Sequence, residues 1–186
     1  SENLFKGLSP WLSKLPGGLI HVNVVGCGLF AAISGSSAAT VATVGKMSIP
    51  ELRKRKYPEK ILLGSLAGSG TLGLLIPPSI ILIIYGVTIE DSIAKLFMAG
   101  ILPGIMLAVI FMLYVVIWST INKKQMPTIS ENFSFLEKIK KSKQLLPVVL
   151  LITAVIGSIY TGIATATEAA SLGVVGALIL SLFQGT

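Results

Sequence analysis

The chain has 186 residues, of which 53% are hydrophobic and 12% charged, with a formal net charge of +7. A soluble domain carries about 25% charged residues. This deficit, with a mean hydropathy of +0.84, argues against a soluble globule, a nucleic-acid module and a disordered chain. Residues 15–45, 61–89, 96–122, 144–167 and 169–186 contain no Asp, Glu, Lys or Arg. Each run reaches or approaches the ~20 residues a helix needs to cross a bilayer. None shows the dyad alternation of a barrel strand. The chain therefore reads as an all-α integral membrane protein. Its basic excess is the bias of cytoplasmic loops, with no nucleic-acid partner implied. Single copies of Cys (Cys27) and His (His21) exclude an intrachain disulfide, a thiolate cluster and a His-rich metal site. No cleavable signal peptide is visible, and the chain ends within an apolar run. It is expected to be an internal piece of a longer protein.

In chain order, residues 1–14 form a cytoplasmic or interfacial lead-in. The run 15–45 is too long for one straight crossing and has Ser34-Gly35-Ser36-Ser37 at its middle. Small polar residues with a Gly form turns. A re-entrant hairpin fits, entering and leaving on the cytoplasmic side; the alternative is one long helix with a Ser/Gly packing face. Residues 46–60 hold Lys46, Arg53, Lys54, Arg55, Lys56 and Lys60 against Glu51 and Glu59, a basic cytoplasmic loop.

The run 61–89 carries Gly64, Gly68, Gly70 and Gly73 and then Pro77-Pro78-Ser79. Paired prolines remove two backbone donors and push the preceding residue out of helix. The span is therefore expected as two half-helices, about 61–70 and 78–87, with unwound chain between them; a simple kink is the alternative. Residues 90–95 are the external loop. Residues 96–122 cross back, 123–143 form a second basic cytoplasmic stretch, and 144–167 cross outward. Within 128–143, Phe133, Leu136 and Ile139 recur every three residues among lysines, and Ser134 with Glu137 makes a capping box. This predicts a short amphipathic helix on the cytoplasmic surface.

Several motifs carry no chemistry. Gly68–Gly73 spells the dinucleotide-binding pattern, but that fingerprint needs a preceding strand and a following helix, whereas here a double proline follows within a membrane span. Gly64…Gly68 and Gly100…Gly104 are small-residue pairs for close helix packing. Glu168 is an intramembrane carboxylate by one reading. Gly162 and the surrounding threonines favour the other, an acid at a helix N-terminus capped by Thr165 or Thr167. What remains is a Ser/Gly-rich turn and a Gly/Thr-rich break, both near mid-membrane. Unwound carbonyls and hydroxyls are hard oxygen ligands suited to sodium, and half-helix N-termini suit an anionic solute group.

Four segments then read together: Leu29–Ala39, Gly73–Ile80, Gly100-Ile101-Leu102-Pro103-Gly104 and Gly162–Ala170. In this order and spacing the chain resembles the large membrane subunit, DctM type, of the tripartite ATP-independent periplasmic (TRAP) transporters. Ala164 and Ala166 depart from the family's usual Phe and Pro in the last segment. The resemblance implies one repeat of an inverted-repeat, elevator-type transporter in the bacterial inner membrane. Its activity would be sodium-coupled symport of an organic acid such as sialic acid or a C4-dicarboxylate. A periplasmic substrate-binding protein and a small membrane subunit would be its partners; no cofactor and no enzymatic step are implied. Residues 15–95 would be half of the transport domain, and 96–186 would lead to the scaffold and second repeat. The sodium site would draw on Ser34, Gly35, Ser36, Ser37, Gly70, Thr71, Gly73, Ile76 and Pro77, with Ser36, Ser37 and Ser79 nearest the solute. Rival readings are a carboxylate symporter without a binding protein, and a non-transporting scaffold subunit with an unbroken helix over 15–45.

Overall fold

A computed structural model describes residues 2–127, 134–143 and 145–184. Among them the secondary structure is entirely helical: α1 (Glu2–Leu12), α2 (His21–Ser34), α3 (Ser37–Lys54), α4 (Glu59–Gly70), α5 (Leu72–Leu75), α6 (Ile80–Thr88), α7 (Ile93–Ile121), α8 (Phe135–Ser142), α9 (Leu146–Tyr160) and α10 (Ala166–Gln184). Residues 59–88 and 93–121 are each long and apolar enough to cross a membrane. The outer face of α7 exposes Leu102, Ile105, Met106, Val109, Leu113 and Ile117 in succession, an apolar stripe suited to lipid rather than to water.

The core sits where α1, α2, α3 and α4 meet. Leu4, Phe5, Leu8 and Leu12 of α1 pack with Leu19, Ile20, Val22, Val24, Leu52, Ile61 and Leu62. The expected lead-in is thus a packed helix, because its apolar residues recur at three- and four-residue spacing. Two buried polar groups tie this core together. Tyr57 Oη accepts from the Leu19 N–H at 3.0 Å. Asn23 Nδ2 donates to the Leu62 carbonyl at 3.1 Å and to Ser65 Oγ at 2.9 Å. A second cluster (Phe97, Ile159, Ala169) docks α9 and α10 onto α7.

The helices of 15–45 break where expected. Gly35 takes a left-handed conformation (φ 59°) and Ser36 an extended one, and α3 starts at Ser37. Gly26 of α2 lies against Val44 of α3, so the two arms form an antiparallel pair, and Gly45 of α3 lies against Leu66 of α4. The expected basic loop is largely absent. Residues 46–54 continue α3, and the connection to α4 is residues 55–58. Lys, Arg and Glu are good helix formers where they face solvent, and Arg53 is bridged to Glu59 at 2.7 Å across that connection.

The second break is narrower than expected. Thr71 is helical (φ −64°, ψ −18°), so α4 runs on into α5. Only residues 76–79 are unwound, with Ile76 and Ser79 extended and the Pro77–Pro78 peptide cis. The prolines stop the helix; the glycines before them do not, since each costs only ~1 kcal/mol. Three of them serve close packing instead. Gly68 faces the Phe111 ring, Gly70 lies against Val41, and Gly73 lies against the Ser36–Ser37 peptide. Gly64 has nothing within 4 Å of where a Cβ would sit.

The last turn falls where Gly162 and the threonines place it. Helix α9 ends at Tyr160, the chain turns at 161–165 with Gly162 at φ 72°, and α10 returns along it. Antiparallel return follows from Gly173 against Val155 and Gly176 against Leu151. Of the expected surface helix, residues 135–142 are α8 and residues 128–133 lie outside the described part. Its capping box is present, the Ser134 N–H donating to Glu137 Oε2 at 2.8 Å.

Candidate ion-binding site

The two breaks meet. A Cβ on Gly35 would lie 2.5 Å from the Pro78 carbonyl oxygen, and the Ile80 N–H donates to the Gly35 carbonyl at 3.3 Å. On the other side, a Cβ on Gly73 would lie 2.9 Å from both Ser36 C and Ser37 N. Backbone therefore touches backbone at two points, and only glycine permits that approach. At Gly35 the left-handed φ independently disfavours any side chain.

The hydroxyls at the turn form a closed set. Thr40 Oγ1 donates to the Ser36 carbonyl at 2.7 Å and lies 3.0 Å from Ser34 Oγ. Ser36 Oγ accepts from the Ala39 N–H at 3.4 Å and so caps α3. Thr40 is fully buried. It is the functional candidate that the motif reading passed over, although its position one helical turn after Ser36 was a usable signal.

On the crossing helix, Pro77 and Pro78 have no N–H to give the carbonyls four residues earlier, those of Gly73 and Leu74. Ser79 Oγ replaces the missing donor at Leu74, 2.7 Å away. Gly73, whose carbonyl loses the Pro77 donor, is the residue lying on the Ser36–Ser37 peptide.

Ser34, Gly35, Ser36, Ser37 and Gly73 are thus brought together with the carbonyl of Pro78. Gly70 sits one turn below, against Val41. Ile76 and Pro77 turn the other way, toward α7: a Cβ on Gly104 would lie 3.0 Å from Ile76 Cγ1, and one on Gly100 would lie 2.8 Å from the Leu75 carbonyl oxygen. The Gly100…Gly104 pair thereby seats α7 against the break. Thr71 is not part of the group; it is exposed and its hydroxyl bonds the Gly68 carbonyl at 2.7 Å. Ser79 is fully buried with its hydroxyl turned back to Leu74.

Glu168 lies apart, exposed at the start of α10. Its carboxylate accepts from the Thr165 N–H and Thr165 Oγ1, both at 2.8 Å. The Glu168 N–H donates to Thr165 Oγ1 at 3.3 Å, so the pair is a reciprocal helix cap.

Beside the hairpin tip a cavity of about 300 Å³ opens between Ala32 and Pro78 on one wall and Leu151, Val155 and Gly173 on the other. Its walls are apolar and offer no ligand for an anion. Among the described residues no cluster of three or more His, Cys, Asp or Glu could hold a transition metal.

Long apolar helices, one of them broken by paired prolines against a helical hairpin, define a polytopic membrane protein. The family described as "Tripartite ATP-independent periplasmic transporter, DctM component" matches residues 1–186, and the chain belongs to it. The C4-dicarboxylate TRAP transporter large permease protein DctM of Pseudomonas aeruginosa is 41% identical over 172 residues, 92% of this chain and 40% of that protein. The sialic acid TRAP transporter large permease protein SiaM of Vibrio cholerae is 34% identical over 97% of this chain and 42% of its own length. An isethionate TRAP transporter permease protein, DctMQ of Oleidesulfovibrio alaskensis, is 36% identical over 98% of this chain and 28% of its own length. The chain thus spans about two-fifths or less of the length of these relatives.

Proposed function

We propose that this chain is part of the large membrane subunit of a sodium-coupled, binding-protein-dependent symporter for an organic acid, and that the meeting of its two breaks holds one sodium ion. The observation that carries the reading is the backbone contact of Gly35 with Pro78 and of Gly73 with the Ser36–Ser37 peptide. A desolvated alkali cation needs several oxygens converging from different chain segments. Here the turn offers Ser34, Gly35, Ser36 and Ser37, and the break offers Gly73, whose carbonyl lacks its usual helical donor. Ile76 and Pro77 contribute by holding the unwound backbone against α7. Thr71 leaves the set because its hydroxyl faces outward.

The hairpin enters and leaves on the cytoplasmic side and moves with the broken helix as one block, an elevator element supported by the core that the hairpin shares with α4 and α5. Solutes in the names of the relatives are C4-dicarboxylates, sialic acid, isethionate and ectoines. An acidic group is the common recognition element we assign. A periplasmic binding protein delivers it and a small membrane subunit completes the complex in the bacterial inner membrane. A scaffold subunit without a solute path would have no use for a broken helix over 15–45, whereas this one turns at Gly35.

The test is uptake by the reconstituted full-length complex. Ser34→Ala combined with Ser36→Ala is expected to raise the sodium concentration for half-maximal uptake about tenfold, the effect of one lost bond to a charged group. Unchanged sodium dependence in a folded complex would reject the site. Omitting the binding protein should abolish uptake; undiminished uptake would favour the simpler carboxylate symporter.

A further inference from the structure

Phe97 near the start of α7 packs with Ile159 near the end of α9, so the end of α7 at Ile121 and the start of α9 at Leu146 lie at the same level. Helix α8 within this segment is bent 56° from α9, which lays it obliquely across that level. Residues 123–143 hold Lys123, Lys124, Lys138, Lys140, Lys141 and Lys143 against Glu131 and Glu137.

Helix α8 is fastened to α1 around a single indole, from residues 131 positions apart. Trp11 Nε1 donates to Ser142 Oγ at 2.7 Å. The Trp11 ring meets Phe135 edge-on, with centroids 6.4 Å apart and planes at 77°. Lys138 Nζ stands 5.4 Å from the Trp11 ring centre. Phe135, Lys138 and Ser142 lie on one side of the helix at three- and four-residue spacing. Next to that side come Phe135, Leu136 and Ile139, which are 67%, 77% and 42% exposed, beside Trp11 at 45%. Lys140 and Lys143, both exposed, complete the surround.

We infer that α1 and α8 form a composite platform that binds an anionic glycerophospholipid at headgroup level, with Trp11 as its joint. Lys140 and Lys143, three residues apart on one side of the helix, contact the headgroup phosphate, Lys138 stays on the Trp11 ring, and Phe135, Leu136 and Ile139 rest on the acyl chains. The charge pattern selects this occupant: lysines ring an apolar patch that lies where two apolar helices end, and Trp occupies the position it favours at a membrane interface. The inference depends on the chain spanning a membrane and is independent of sodium coupling.

The experiment uses the full-length complex, stripped of lipid and titrated with phosphatidylglycerol or phosphatidylcholine under native mass spectrometry. Phosphatidylglycerol is expected to bind the parent more tightly, in a salt-sensitive manner, and about fivefold more weakly for each of Lys140→Gln and Lys143→Gln. In a Cys27→Ser background, a fluorophore at Leu136→Cys is expected to be quenched by brominated phosphatidylglycerol more than by brominated phosphatidylcholine. Equal binding of the two lipids by parent and variants, equal quenching, or a fluorophore shielded from both by the rest of the protein would overturn the proposal. Sodium-dependent uptake measured beside these readouts separates a failure here from a failure of the ion site.

Discussion

Two turns in this molecule are built from the same local parts and end in different places. At 34–37 a left-handed glycine, Gly35, follows α2 and a hydroxyl residue, Ser36, caps α3. At 161–165 a left-handed glycine, Gly162, follows α9 and Thr165 caps α10 through Glu168. The first glycine is buried, with the Pro78 carbonyl 2.5 Å from where a Cβ would be; the second has nothing within 4 Å. Local chemistry thus makes a helix–turn–helix in both, while the proposed ion site lies only where a second break of the chain covers the turn.

The largest expected effect tests this difference directly. Gly35→Ala combines a left-handed side-chain penalty of ~1–2 kcal/mol with overpacking of ~1–3 kcal/mol. Gly162→Ala carries only the first. Thermal unfolding of the purified full-length complex should therefore rank Gly35→Ala well below Gly162→Ala. Equal midpoints would show that the two breaks are not in contact.

A smaller effect is expected from Thr40→Val, which keeps shape but leaves Ser34 Oγ and the Ser36 carbonyl without the Thr40 hydroxyl. The expected loss is about 1–3 kcal/mol, accompanied by a raised sodium requirement for uptake. Unaltered stability and sodium response would make Thr40 an ordinary packing residue. The smallest is Glu168→Ala at the open turn, about 0.5–1 kcal/mol of helix-cap stability. Solute uptake at saturating sodium should remain at the parent level. Loss of uptake in a folded Glu168→Ala complex would break the comparison, because the open turn would then carry function as well.

Much of the site was legible because its parts act locally. Pro77 and Pro78 end a helix in any surroundings, and Ser34-Gly35-Ser36-Ser37 turns in any surroundings. The glycines before the prolines suggest a wide unwound stretch, and only residues 76–79 unwind. Glycine only weakens a helix, and whether it unwinds depends on what packs against it; here Val41, Ser36 and Phe111 do. The resemblance places Thr71 with Gly73 in the sodium site, but two residues along a helix face nearly opposite directions. Thr40 was missed for the converse reason, since it lies outside the motif yet one turn from Ser36. Residues 46–54 looked like a loop because they are charged, and charge on an exposed helix face reads the same way in a sequence.

The sequence by itself determined the membrane class, the family and the positions of both breaks. Each follows from properties carried by consecutive residues: absent charge, missing N–H groups, a glycine between hydroxyls. Only the tertiary structure decided that residue 35 rests on residue 78 and residue 73 on the peptide after residue 36. Those approaches depend on how α2, α3 and α4 pack around Asn23 and Leu62. The sum of many weak contacts between distant segments has no counterpart in any short stretch of chain.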